Sequence, residues 1–373
     1  MRKAPQKIQR FNPRVLLLLV GLGLPSFVSA EVTVTINYPT LIPQLSRLQP
    51  LVNQQLATVA GQIQGTLNSF LNKPLVLGAF ADAGSLSVLP VWNSPWNGSP
   101  YAFSLSNTAS VMLDSFNFAT WVSRLTNLTP TSDYQLGVNL SPTTLWLGGT
   151  LAPWTTSVYL KAVAGWSPYS YENTSFLSKS LGFFGAWQMV RPVRLSPWWS
   201  WLGLEADTGL GWNDNEASTQ LALSTVTQSF TVGAQGPYPS LTVKYSVSPS
   251  VQVSLLTQTF SVPFQLSTGF EWARIFDVSA GVGNYLSWGN SSIGLSGTQQ
   301  VQILSQPLSN LIQSGSNPSL TFSGMSTGTG PHLTGTYFWL RLGYRVGLIT
   351  IEVPVLYRLI GGFETGLEWG AEF

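Results

Sequence analysis

The sequence predicts an all-β protein: a transmembrane antiparallel β-barrel of about 14 strands, with 12 or 16 as the alternatives, preceded by a short helical segment. Three observations predict it. Charged residues are only 9% of the 373-residue chain while tryptophan contributes 15, against roughly 25% charge in globular domains. Period-two alternation recurs in segments of about ten residues, the signature of membrane-barrel strands. Within those segments the few charges fall in the register opposite the large apolar side chains.

The chain begins with five basic residues, Arg2, Lys3, Lys7, Arg10 and Arg14, followed by VLLLLVGLGL and SFVSA. This is the order of a secretory signal peptide, with cleavage expected after Ala30. The apolar run is shorter than the about 20 residues that span a bilayer as a helix. Without the leader, 12 basic and 15 acidic residues remain, so the exported chain is net acidic and nucleic-acid binding is not expected. There is no cysteine; for an exported chain, stability then has to come from closure and packing rather than disulfides.

Residues 31–73 form the second segment. EVTVTINYP alternates as an extended piece, after which Val52, Leu56, Val59, Ile63, Leu67 and Phe70 recur at three- and four-residue steps, the stripe of an amphipathic helix. Three placements are open for that helix: a plug in the barrel lumen, a periplasmic docking element, or a membrane-surface helix. Surface helices usually carry basic residues on the polar face, and here only Arg47 and Lys73 flank the stripe.

Residues 74–373 are expected to form the barrel. The clearest strands are 134–140, 154–164, 202–211, 240–247, 262–271, 276–286, 336–345, 348–357 and 363–373, with turns expected at 96–100, 212–218, 288–292 and 361–362 and a long loop at 305–331. In 202–211 Leu202, Leu204 and Leu210 oppose Glu205 and Asp207, and in 276–282 Phe276 and Val278 oppose Asp277. A soluble sandwich also alternates, but its polar face is usually charge-rich; here that face is mainly Ser, Thr, Gly, Asn and Gln. Trp154, Trp166, Trp187, Trp198, Trp199 and Trp201 suit aromatic girdles at the lipid interfaces.

The last segment, GGFETGLEWGAEF, places Phe363, Leu367, Trp369 and Phe373 on one face and Glu364, Glu368 and Glu372 on the other. It resembles the terminal strand of Gram-negative outer-membrane barrel proteins, which ends in an aromatic residue. That resemblance implies location in the outer membrane of a diderm bacterium, contact with its lipid, engagement by the barrel-assembly machinery, and both termini in the periplasm. The 358–362 turn and 305–331 loop would then be external, and the tight Val346-Gly347 turn periplasmic. That two-residue turn pairs Arg345 with Leu348 and Arg341 with Glu352. Arg341, Arg345, Glu352, Glu364, Glu368 and Glu372 are thus expected to form a charge cluster on the inner wall. It would act either as a charge-selecting constriction or as cross-strand pairing that only stabilises the wall.

A plug ahead of about 14 strands resembles, in layout only, the long-chain fatty-acid transporter family, although that family's Asn-Pro-Ala motif is absent. The resemblance implies passage of hydrophobic molecules; a general diffusion channel is the close alternative. GMSTG at 324–328 with His332, and NDNE at 213–216, match hydrolase and Ca²⁺-loop patterns only weakly, so no catalytic residue, metal or cofactor is expected. The sequence thus points to an outer-membrane channel for passive uptake of small, in part hydrophobic, solutes. The alternative is a non-transport surface protein, an adhesin or structural barrel, acting through external loops.

Overall fold

The computed structural model describes residues 31–71, 74–86, 101–113, 136–140, 143–151, 157–222, 225–232, 241–304, 317–327, 330–359 and 361–372. The leader and Phe373 lie outside this set. After β1 (Thr33–Asn37) come two helices, α1 (Gln49–Leu71) and α2 (Pro74–Leu86). The strands that follow are β2 (Tyr101–Leu113), β3 (Leu136–Leu140), β4 (Thr144–Thr150), β5 (Val158–Tyr171), β6 (Thr174–Val190), β7 (Val193–Arg194) and β8 (Trp199–Ala222). Next are β9 (Val226–Val232), β10 (Leu241–Val247), β11 (Ser250–Trp272), β12 (Phe276–Gln300) and β13 (Gln302–Ile303). The chain closes with β14 (Ser319–Thr327), β15 (Thr334–Val346), β16 (Ile349–Arg358) and β17 (Gly362–Glu372).

One antiparallel sheet holds 14 strands, as expected, and pairing of β12 with β15 closes part of it into a barrel. The ring is β12-β11-β8-β6-β5-β4-β2-β17-β16-β15, ten strands, and the others extend it. Closure removes the exposed edges that the ring strands would otherwise present. The alternation read from the sequence sets the two faces. Phe338, Leu340, Leu342, Ile351, Val353, Phe363, Leu367 and Trp369 are exposed on the outside, whereas Arg341, Glu352, Glu364, Glu368 and Glu372 are buried.

Two stacked aromatic pairs across β11 and β12 bound the apolar outer belt. Trp272 lies on Phe276 at 5.7 Å between ring centroids, and Phe260 on Trp288 at 5.8 Å. From Phe276 to Trp288 is about 40 Å along the strand at roughly 3.3 Å per residue, or about 30 Å once tilted, the thickness of a bilayer's hydrocarbon core. β8, β11 and β12 run for 24, 23 and 25 residues, against the about 9–11 needed to span. Each therefore continues well beyond the belt, by ten residues or more. The expected turns at 212–218 and 288–292 are interior to β8 and β12, and β14 occupies part of the expected 305–331 loop. The turn expected at 96–100 lies outside the described residues.

Above the belt, the inward-facing register changes from Ser287 and Ser291 to Ile293 and Leu295 on β12, joined by Val251 and Val253 on β11 and by Leu320 and Phe322 on β14. The α1 stripe packs there: Val52, Leu56, Val59, Ile63 and Leu67 share one core with Leu295, Val251, Leu320 and Phe322. α1 is therefore a lid over the extension, not a plug within the ring; the side chain of Phe70 lies outside the described set. Asn68 Oδ1 accepts from Val32 N at 2.7 Å and Gln64 Nε2 donates to Val32 O at 2.7 Å, tying the helix to β1. The boundary expected at residue 73 does not divide the chain, because β1 belongs to the large sheet and α2 sits at the barrel mouth.

The register at the last hairpins also corrects an expectation. Val346 pairs with Ile349 around Gly347-Leu348, so Arg345 faces Thr350 and Arg341 faces Pro354. Gly347 has φ +62°, the left-handed conformation that a glycine-first hairpin turn requires. The slip is two residues, an even number, so every side chain keeps its predicted face. The termini differ more. Glu372 N donates to Leu348 O at the short-turn end, whereas β1 joins through β14 to residues 296–300 of β12 at the other end. The N-terminal segment and the last strand thus lie at opposite ends of the barrel, not at one.

Candidate functional site

The barrel interior is built from the inward register of its strands and closed at the long-loop end by α2. A helix leaves its last carbonyls without intrahelical partners, and here the wall supplies donors for three of them. Ser110 Oγ of β2 donates to Ala83 O at 2.9 Å, Asn213 Nδ2 of β8 to Gly84 O at 3.1 Å, and Ser261 Oγ of β11 to Ser85 O at 3.2 Å. Gly84 is closely packed: a Cβ there would lie 3.3 Å from Thr257 Cγ2. Asp82 is the anchor. Its Oδ1 accepts from Arg358 NH1 at 2.9 Å and from His332 N at 2.8 Å, and its Oδ2 lies 2.5 Å from His332 Nδ1. Arg358 is fully buried, with its guanidinium 4.6 Å from the Tyr285 ring centroid. α2 therefore plugs the mouth, the role the sequence offered to α1.

Below α2, inward aromatic rings lie over glycines of the neighbouring strand. Tyr337 covers Gly283 and Tyr285 covers Gly335; a Cβ at either glycine would come within 2.5 Å or less of the ring atoms. Tyr337 OH and Trp339 Nε1 both donate to Gln265 Oε1, at 2.9 and 3.1 Å, and Gln265 Nε2 donates to Asp207 Oδ2 at 3.0 Å. This polar crossbar runs from β15 through β11 to β8 on the inner side of the wall, and all of its members are buried.

Five of the six residues of the predicted charge cluster lie towards the short-turn end, joined by others; Glu364 stands apart, opposite Ser110 at the α2 end. Arg341 contacts Asp277 at 2.9 Å and Glu352 at 3.5 Å; Arg345 contacts Glu372 at 2.7 Å and Glu271 at 3.8 Å. Glu368 accepts from Ser104 Oγ, and Glu364 from the Thr108 hydroxyl. Glu368 stands directly opposite Glu352. Lys161, with Nζ 3.6 Å from the Trp146 centroid, lies within electrostatic reach of Glu352, Glu368 and Asp207. Beside it a cavity of about 10 Å³, the room of one water molecule, is lined by Ser104, Tyr159, Lys161 and Glu372.

The sequence reading missed Lys161, Glu205, Asp207, Glu271 and Asp277 as members, although it put each on an inward face. The signal was their shared register; what was missing was the order of strands around the ring. Among the described residues the inward face of the ring wall carries eight carboxyl groups (Glu205, Asp207, Glu271, Asp277, Glu352, Glu364, Glu368, Glu372) and four cations (Lys161, Arg341, Arg345, Arg358). The interior is rich in carboxyl groups relative to cations.

The remaining sequence motifs are dispersed. Ser326 of GMSTG pairs with Ile293 on the extension, while His332 is held by Asp82. The NDNE residues alternate along β8, with Asn213 and Asn215 buried and Asp214 paired outside with Lys179 at 3.6 Å, so they form no loop of oxygen ligands. Phe363, Leu367 and Trp369 lie on the lipid-facing side of β17.

Among solved structures, the chain is similar to the translocator domain of the autotransporter NalP from Neisseria meningitidis, at 10% identity over 88% of this chain and 99% of that one, with a TM-score of 0.26. It is also similar to the Acinetobacter baumannii outer membrane protein Omp33, at 9% identity over 74% and 100%, TM-score 0.25. A third is a Pseudomonas aeruginosa FadL homologue, at 10% identity over 80% and 98%, TM-score 0.22. Likenesses this distant carry no functional argument, and the barrel assignment rests on the strand pairing itself. No curated protein matches the chain. A family profile does match, over residues 28–373, which includes both helices and the whole barrel, and the chain belongs to the Lsa36-like family.

Proposed function

We propose that this protein is an outer-membrane barrel, closed at rest, that passes small cationic or polar solutes when α2 is displaced from its mouth. The outer belt between the two aromatic pairs supports the membrane location. The observation that carries the transport reading is the carboxyl-rich interior. Burying ionised groups without full pairing is destabilising, and ionisable groups facing the interior of a membrane protein commonly mark solute or proton paths. A barrel serving only as an anchor gains nothing from eight inward carboxyl groups against four cations.

The acidic wall favours cations over the apolar solutes that the layout first suggested. Access requires both the α2 contacts and the Gln265 crossbar to rearrange; the crossbar consists of polar bonds that water can replace, while α2 also has to leave the apolar cluster of Ala83 with Met112 and Leu356. Proteoliposome swelling tests the reading. An Asp82→Ala variant is expected to admit glucosamine faster than glucuronate, while the parent admits neither; equal exclusion by both would count against it.

A second reading has its own observation. The long ends of β8, β11 and β12, with β1, β14 and α1, form an extramembrane platform with a separate apolar core. This favours a surface protein whose barrel only anchors the platform.

A further inference from the structure

The outward charges at the short-turn rim are confined to one sector. Arg191, Arg194 and Arg274 are exposed there, on or beside β6, β7, β8 and β11. They sit at the edge of the aromatic belt: Trp199 faces Trp272 across β8 and β11, and Ala273 N donates to Trp198 O at 2.7 Å. Arg194 stands beside Ser200, and its guanidinium donates to Ser196 O at 3.3 Å and Pro197 O at 3.1 Å, which holds it at the turn. The Arg191 backbone abuts Gly203, where a Cβ would meet its carbonyl carbon at 3.0 Å.

No outward carboxylate accompanies these arginines among the described residues, and none of the three forms an ion pair there. The acidic residues of the same strands nearest this rim, Glu205, Asp207 and Glu271, face inward and are buried, whereas Asp214 and Glu216 lie at the other end of β8. On the far side of the ring, β16, β17, β2 and β4 present apolar side chains and no outward basic residue at this rim.

We propose that this sector docks anionic phospholipid of the leaflet at the short-turn end. The exposed rings of Trp198, Trp199 and Trp272 take the acyl-glycerol region, and the three guanidiniums take the headgroup phosphates. Two features support it: charge complementarity to a phosphate-bearing lipid, and continuity with the lipid-facing belt. A guanidinium is suited to this task because its planar donors match phosphate oxygens in pairs. The inference rests on the membrane-barrel reading of the protein.

The test uses the full chain in mixed micelles containing phosphatidylglycerol or phosphatidylcholine, with retained lipids counted by native mass spectrometry. Phosphatidylglycerol is expected to be retained preferentially, with apparent affinity falling about fivefold for each arginine replaced in Arg191→Gln, Arg194→Gln and Arg274→Gln. The Arg191→Gln/Arg274→Gln pair leaves the Arg194 turn contacts intact and guards against misfolding. Arg47→Gln with Lys244→Gln, at the other end, is expected to change nothing. Equal retention of the two lipids, or undiminished phosphatidylglycerol binding by the variants, would overturn the proposal. So would displacement of the lipid by excess inorganic phosphate, which would mark a site for free anions. Failure to insert into liposomes of either lipid would instead overturn the membrane reading beneath it.

Discussion

Asp82 of α2 and Arg358 of β16, 276 residues apart in the chain, meet at 2.9 Å inside the barrel mouth, both almost completely buried. The pair joins the plug to the wall. Removing one partner leaves a buried charge uncompensated, which is strongly destabilising. Asp82→Ala is therefore expected to lower stability by about 3–5 kcal/mol, read as a lower unfolding midpoint in urea-containing detergent. Asp82→Ala combined with Arg358→Met is expected to recover most of that loss; no recovery would show that the pair is not the source of the effect.

At the opposite end, Arg345 and Glu372 connect β15 and β17 at 2.7 Å. Glu372→Gln keeps the shape and removes the charge. A hydrogen bond to a charged group contributes roughly 1.5–3 kcal/mol, and the partial exposure of Arg345 places this pair at the low end. A loss of about 1.5 kcal/mol is expected, measured by equilibrium unfolding. An unchanged midpoint would reduce the pair to a passive contact.

The platform is expected to fail independently of the barrel. Leu56 of α1 is buried in the core shared with Leu295 and Phe322, and Leu→Ala changes in such cores cost about 2–5 kcal/mol. Leu56→Ala is expected to make α1 sensitive to protease while the heat-modifiable gel mobility of the barrel stays as in the parent. Simultaneous loss of both would show a single cooperative unit.

Tyr245 of β10 lies in the same platform core, and burial pushes its hydroxyl above the ordinary tyrosine value of about 10. The folded form resists ionisation more than the unfolded one. Its contribution to stability is thus intact below about pH 10 and is lost as pH rises beyond the unfolded value. Alkaline loosening of α1, followed by proteolysis, is expected to weaken in Tyr245→Phe. Identical alkaline profiles would assign the loosening elsewhere.

Much of the barrel was legible because lipid outside and charge inside enforce strict alternation. β15, β16 and β17 show Phe338, Ile351 and Leu367 outward and Arg341, Glu352 and Glu368 inward, as read. Register was less legible: a two-residue slip at Gly347 leaves the faces unchanged, so the pattern cannot detect it. The long strands were hidden because Asn213 and Asn215 resemble turn residues, yet their amides face the plug and the lumen. β14 was hidden for a similar reason, since SLTFSGMST is rich in residues that also form loops. The plug itself was the largest omission. LVLGAFAD is non-polar up to Asp82, so it shows neither strand alternation nor a helical stripe, and the donors on β2, β8 and β11 that hold its last carbonyls are distant in sequence. The α1 stripe was read correctly as a helix, but nothing local told which apolar surface it would cover.

The account turns on whether α2 seals a carboxyl-lined path. Single-channel recording in planar bilayers tests this most directly, comparing the parent with a chain lacking residues 31–86 and carrying Arg358→Gln to avoid a stranded buried charge. The expected result is a silent parent and a truncated barrel that conducts, with a reversal potential under a KCl gradient showing cation preference. Silence in both, from barrels shown to be folded and inserted, would contradict the transport reading and leave the barrel as an anchor for its platform.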